Sequence, residues 1–239
     1  DATLNRFFSF HVIAVPLVLL GLVAAHILAL HEVGSNNPDG VEIKKRKDAH
    51  GIPLDGIPFH PYYSVKDIVG VVVFLMVFSI IVFFAPEGGG YFLEYNNFIP
   101  ADPLKTPLHI APVWYFTPYY SLLRAMVWPL FGIDAKFWGV VAMGGGVVIL
   151  AFLPWLDRSP VKSIRYRGPI FKTLLTIFVI SFFILGFLGT KAPSYAFFGL
   201  IPSAPVAQIL SAYYFLFFLT MPWWSRIDKY KPEPDRVTM

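Results

Sequence analysis

Two histidines lie inside the first apolar segment, His11 and His26 in RFFSFHVIAVPLVLLGLVAAHILALHE, one near each end. An ionisable ring inside hydrocarbon is costly to keep and marks function by default. At 1.5 Å of rise per residue the two rings stand about 22 Å apart along a helix. Fifteen steps of 100° leave the second ring about 60° past a whole number of turns, so both reach the same side of the helix. That is the geometry two stacked haems would use. The alternative is a pair of rings satisfied by packing or by water.

Two further groups carry chemistry. The first follows the histidine helix: His31 and the run Gly34 to Pro38, then His60, Lys66 and Asp67 in FHPYYSVKD. A histidine, a carboxylate and an ammonium near one membrane surface suit a quinone carbonyl and proton exchange with water. A solvated polar loop accounts for the same residues equally well. The second is the connection from Pro86 to Ala135, unusually long for a compact membrane protein and stiffened by Pro86, Pro100, Pro103, Pro107, Pro112 and Pro118. Within it VWYFTPYYSLLRAMV (113–127) is apolar and aromatic yet too short to span. It reads as a short amphipathic helix at the outer surface. A rigid aromatic cover there makes a water-poor pocket for a flat apolar ligand.

Composition sets what holds these groups. The chain is 56% hydrophobic and 14% charged, with a mean hydropathy of +0.61, far from a soluble domain. The expectation is an all-α membrane protein with five spans, near 9–30, 68–85, 137–156, 170–190 and 204–224. Lys44, Lys45, Arg46, Lys47 and Lys66 sit after the first span, Arg158, Lys162, Arg165 and Arg167 after the third, and Arg226, Lys229, Lys231 and Arg236 after the fifth. The connections between carry only Lys105, Arg124 and Lys191. Positive loops lie inside, so the first helix runs inward and the tail is cytoplasmic, or on the matrix side of a mitochondrial membrane. The net charge of +4 follows from these loops and does not signal nucleic acid. Trp128, Trp138, Trp155, Trp223 and Trp224 stand near span ends as interfacial anchors. Gly144, Gly145 and Gly146 permit a close helix, or a flat ligand, against the third span. There is no cysteine, which excludes disulfides, thiolate metal sites and cysteine nucleophiles. Gly88-Gly89-Gly90 lacks the Lys-Ser/Thr of a phosphate loop. The start on Asp1, without a signal peptide, suggests a processed or truncated polypeptide.

The segments DATLNRFFSFH, HEVGSNNPDG, FHPYYSVKDIVG, NNFIPADPLKTPLHIAPVWYF and LLRA jointly make the chain resemble cytochrome b of the quinol–cytochrome c oxidoreductases, over the C-terminal three-fifths of a typical member. The resemblance implies roles. His11 and His26 would be axial ligands of a low-potential and a high-potential haem b. His31, Ser35, Lys66 and Asp67 would form an inner quinone-reduction site, and Pro112, Trp114, Tyr115 and Tyr120 an outer quinol-oxidation site. It implies quinol oxidation with electron bifurcation, protons released outside, and ubiquinone as the quinone. It also implies a Rieske iron–sulfur protein, a cytochrome c1-type subunit, the N-terminal part of cytochrome b and a dimeric complex as partners. Residues 1–67 would then be the haem-ligand helix and inner loop, and 68–239 the four-span remainder with the outer loop at 86–135.

Two departures from the family pattern follow. Val113 stands where the commonest form has glutamate, in a Pro-Val-Trp-Tyr variant that points to a bacterial plasma membrane. Water with Glu94 or Tyr120 is the expected replacement for that carboxylate. The histidine spacing is fifteen, against fourteen in mitochondrial members. With Pro16 five residues after His11, a one-residue π-type bulge or a kink near His11–Pro16 is expected to absorb the surplus. No other span holds a histidine, so each haem's second ligand must come from elsewhere. A truncated chain is favoured over a separate small polypeptide. A proton-relaying transporter is disfavoured by the near absence of carboxylates in the spans and of any repeat. The membrane anchor of another dehydrogenase is disfavoured by the Pro-Val-Trp-Tyr loop.

Overall fold

The computed structural model describes residues 2–88, 95–100, 102, 104–105, 110–192 and 194–237. Glu94 and His109, with Pro103 and Pro107 of the stiffened loop, lie outside them. The described chain forms two compact units, one of residues 1–55 with 233–239 and one of 56–232.

The first unit opens with α1 (Ala2–Ser9), a π-helical turn (Phe10–Ala14) and α2 (Val15–Val33), one continuous apolar helix of 32 residues. None of its side chains is buried within the chain. A helix that is apolar all round belongs in a membrane or inside a larger assembly. The π turn falls where it is expected: the Val15 N–H bonds to the carbonyl of Phe10, five residues back. Pro16 follows immediately and has no N–H to hold the α register, so the surplus residue fits here at least cost.

In the second unit α3 (Tyr62–Phe84) is likewise apolar and without buried residues. The core lies among α4 (Thr117–Ala125), α5 (Ala135–Val148), α7 (Pro169–Gly189), α8 (Ser203–Leu219) and α9 (Met221–Ile227). Leu122, Leu185, Tyr214, Phe217, Phe218, Met221 and Trp224 form its centre. Prolines break two spans. Before Pro154 the third span tightens into a 3-10 turn (Ile149–Phe152) and resumes as α6 (Leu153–Leu156). Before Pro222 the fifth bends by 62° between α8 and α9. Proline removes a helix donor and its ring clashes with the carbonyl four residues back, which forces both changes. Among the described residues, four helices are long and apolar enough to cross a membrane, and a fifth, broken pair is a further candidate. A short hairpin of β1 (Ala196–Phe197) and β2 (Ile201–Pro202) joins α7 to α8.

The expected short helix of the outer loop is α4. Its buried face, Thr117, Pro118, Ser121, Leu122 and Ala125, packs on protein. Trp128, Trp155 and Trp223 are exposed as anchors should be, but Trp224 is not an anchor: it is 7% exposed, its ring tilted against Phe217 at 5.3 Å and Phe171 at 5.9 Å. The bend at Thr220 turns it inward. The glycine triplet also divides. Gly146 is buried, receives the Tyr214 hydroxyl on its carbonyl at 2.7 Å, and would place a Cβ 2.7 Å from Leu122 Cδ1. Gly144 has no such neighbour within 4 Å.

Candidate functional site

His11 lies in the π turn and His26 eleven residues into α2, both exposed. Among the described residues neither ring takes a hydrogen bond. Discounting the residue that the π turn absorbs, fourteen α steps end about 40° short of four full turns. The widened turn therefore brings the two imidazoles closer to one face than regular α geometry would. An imidazole on an apolar helix is a group that would hold a metal through a ring nitrogen.

The loop after α2 is built by its own side chains. Gly34 closes the helix at φ +87°, its N–H on the Leu30 carbonyl at 2.7 Å, a conformation costly for any residue with a Cβ. Asn37 then pins the turn, accepting from the N–H groups of Asp39 and Val41 at 3.2 and 3.1 Å and donating to the Val41 carbonyl at 2.7 Å. Lys44 donates to the Glu32 carbonyl at 3.0 Å, one residue past His31. His31 and Ser35 are left exposed on this frame.

The same unit ends in a reciprocal clasp. Arg236 contacts Asp55 at 2.7 Å, and Arg46 contacts Asp235 at 3.6 Å. The hydrogen bond from Arg236 holds the Asp55 carboxyl below its ordinary range. Lys66 and Asp67 belong to the second unit, early in α3 and both exposed. The Lys66 ammonium sits 5.2 Å from the Tyr63 ring centre, while His60 Nδ1 pairs with Ser64 Oγ at 2.8 Å. Lys66 and Asp67 are adjacent in sequence and so project about 100° apart.

The outer group is compact. Val113 is extended (φ −55°, ψ 148°) and leads into a 3-10 turn, Trp114–Phe116, whose Phe116 N–H bonds to the Val113 carbonyl at 2.9 Å. The Thr117 hydroxyl donates to the Trp114 carbonyl at 2.7 Å, joining this turn to α4. The Trp114 and Tyr115 rings meet edge to face at 5.5 Å. Tyr120, half-buried on α4, lies under the Arg124 guanidinium at 5.4 Å, and Arg124 donates to the Lys191 carbonyl at 2.7 Å. Trp114 is 81% exposed and Tyr115 54%. Among the described residues this edge is exposed, with α4 directly following it in the chain. Sequence reasoning passed over Ser121, Gly186 and Gly189, which seat α4 on α7. Their signal was small residues at helical spacing in SLLRA and LGFLG.

The described chain is a polytopic α-helical protein of the membrane class, with two histidines on one of its apolar helices. Two family models cover the chain between them, "Cytochrome b(N-terminal)/b6/petB" over residues 1–118 and "Cytochrome b(C-terminal)/b6/petD" over residues 100–215. The chain belongs to the cytochrome b family. It is 56% identical to the cytochrome b of Allochromatium vinosum over 100% of this chain and 56% of the relative. Identity is 45% to that of Rhodospirillum rubrum, over 100% and 53%, and 43% to that of Cereibacter sphaeroides, over 99% and 53%. The chain thus spans about half the length of these relatives. Among solved structures, a chain of a "Hyperthermophilic respiratory Complex III" is similar at 41% identity and a TM-score of 0.75, covering 95% of this chain and 52% of that one.

Proposed function

We propose that this chain holds two haems b and contributes both quinone sites of a proton-translocating quinol–cytochrome c oxidoreductase. The carrying observation is the pair of unpartnered imidazoles, His11 in the π turn and His26 on α2, brought toward one face. His11 would hold the low-potential haem and His26 the high-potential one. When bound, haem b supplies reversible one-electron transport between the two sides of the membrane. At the outer site Trp114 and Tyr115 bind the quinol ring, and Pro112 stiffens their approach. Val113 cannot take a proton, so the Tyr120 hydroxyl with water carries the proton outward, and Glu94 is the alternative acceptor. At the inner site His31 exchanges a proton with the quinone oxygen, Ser35 donates to it, and Asp67 with Lys66 passes protons from water. The quinone is ubiquinone, and oxidation is bifurcated.

The partners are a Rieske iron–sulfur protein, a cytochrome c1-type subunit and the N-terminal part of cytochrome b, within a dimeric complex of a bacterial plasma membrane. The C-terminus lies on the cytoplasmic side. Kinship with cytochromes b and with a respiratory complex III chain supports this reading.

The test is the haem b content of the complex purified from its native membrane. His11→Leu and His26→Leu should each halve it, the first removing the component of lower midpoint potential and the second the higher. Full content in either variant would remove that histidine from the ligand set.

A further inference from the structure

We propose that Ser121 and Gly189 are positioning residues for the outer quinol site, forming a latch that holds the Trp114–Tyr115 edge by holding α4 on α7. This rests on the reading of that edge as the quinol site. The two helices meet running in opposite directions. Thr117 lies on Gly189, Pro118 against Gly186, and Ser121 on Leu185. A Cβ at Gly189 would fall on the Thr117 backbone, and one at Gly186 would come 3.5 Å from Pro118 Cγ. Small residues thus let the first turn of α4 touch α7 directly.

At the centre of that contact the Ser121 hydroxyl donates to the Leu185 carbonyl at 2.5 Å, with Ser121 2% exposed and Leu185 fully buried. Apolar packing is non-directional and would leave α4 free to rotate or slide. A buried hydrogen bond has a preferred angle and length, so it fixes both. The Thr117 hydroxyl passes that placement to the Trp114 carbonyl. The rings of Trp114 and Tyr115 are largely exposed, so their position is set through the backbone of this turn.

The experiment uses the assembled complex in its native membrane, with Ser121→Ala, Ser121→Thr and Gly189→Ala. Hydrogen exchange over residues 113–121, KM and kcat for a ubiquinol analogue, and haem content are read together. In Ser121→Ala and Gly189→Ala the expected result is exchange faster by about fivefold and KM raised by about fivefold, with kcat within about twofold and haem content unchanged. Ser121→Thr keeps the hydroxyl and should restore both. Should Gly189→Ala lose haem through misfolding, Ser121→Ala carries the test, since it removes a single oxygen. Unchanged exchange in Ser121→Ala would overturn the latch whatever the kinetics. Faster exchange with unchanged KM would overturn the positioning role, and would locate the failure in the quinol reading of the edge.

Discussion

At the scale of residues, identical types in this chain do different work according to what surrounds them. Gly144 and Gly146 stand two positions apart on α5. An added methyl at Gly146 meets Leu122, itself only 1% exposed, whereas one at Gly144 meets nothing. Gly146→Ala should therefore destabilise the assembled protein by about 1–3 kcal/mol through overpacking. Gly144→Ala should be neutral or stabilising by up to about 1 kcal/mol through helix propensity. Thermal inactivation of the two variants in membranes checks this, and equal shifts would contradict the packing at Gly146. Asp55 offers a second residue-level prediction. Its carboxyl is held below the ordinary 3.8 by the hydrogen bond from Arg236. A pKa lowered on folding gives stability that is present above 3.8 and lost as pH falls through the lowered folded value. Hydrogen exchange over residues 46–55 should stay slow down to the ordinary carboxylate range and quicken only below it. Asp55→Asn should quicken it above the carboxylate range and leave it unchanged once Asp55 is protonated, and a pH profile matching the wild type throughout would discard the clasp.

At the scale of elements, the prolines and the π turn decide where the helices bend and which way they face. The π turn separates the count of residues between the histidines from the angle between them. Deleting Ile13 should collapse it to α geometry and leave His11 and His26 on nearly the same face, with haem content retained. Deleting Leu20 instead, beyond the turn, rotates His26 by about 100° and should cost one haem. Equal haem content in the two deletions would show that the turn does not absorb the extra residue. α4 is the other instructive element. Its amphipathic pattern and the aromatic run before it were legible in VWYFTPYYSLLRAMV. Its seat on α7 was not, because that depends on Gly186 and Gly189, some seventy residues away, lying opposite Thr117 and Pro118. Similarly the remote Asp228 carboxylate caps α7, accepting from the N–H groups of Ile170 and Phe171 at 3.1 and 3.2 Å.

At the scale of the whole molecule, the spread of Lys and Arg is the basis of the proposed orientation of the spans. The chain has no cysteine, so a single one introduced at Ser163 or Phe198 is a clean reporter for this subunit. The proposed orientation predicts that a membrane-impermeant thiol reagent labels the Ser163→Cys subunit only from the cytoplasmic side, and Phe198→Cys only from the outside. The reverse pattern would invert the topology. The first unit's helix and α3 bury nothing within the chain. Their apolar surface is consistent with the lipid and partner subunits of the proposed complex.

Class, spans and family were readable in the sequence because each is written locally. Apolar runs follow bilayer thickness, an imidazole in hydrocarbon stands out alone, and Pro16 marks the place for a π turn a few residues away. The tertiary structure alone decided that Trp224 is core, that the fifth span breaks by 62°, that Gly146 rather than Gly144 is the tight contact, and that residues 233–237 join the first unit. Each of these depends on which distant side chain lies opposite. In a chain so uniformly apolar, hydrophobic pattern does not choose among partners; steric fit and directional hydrogen bonds do.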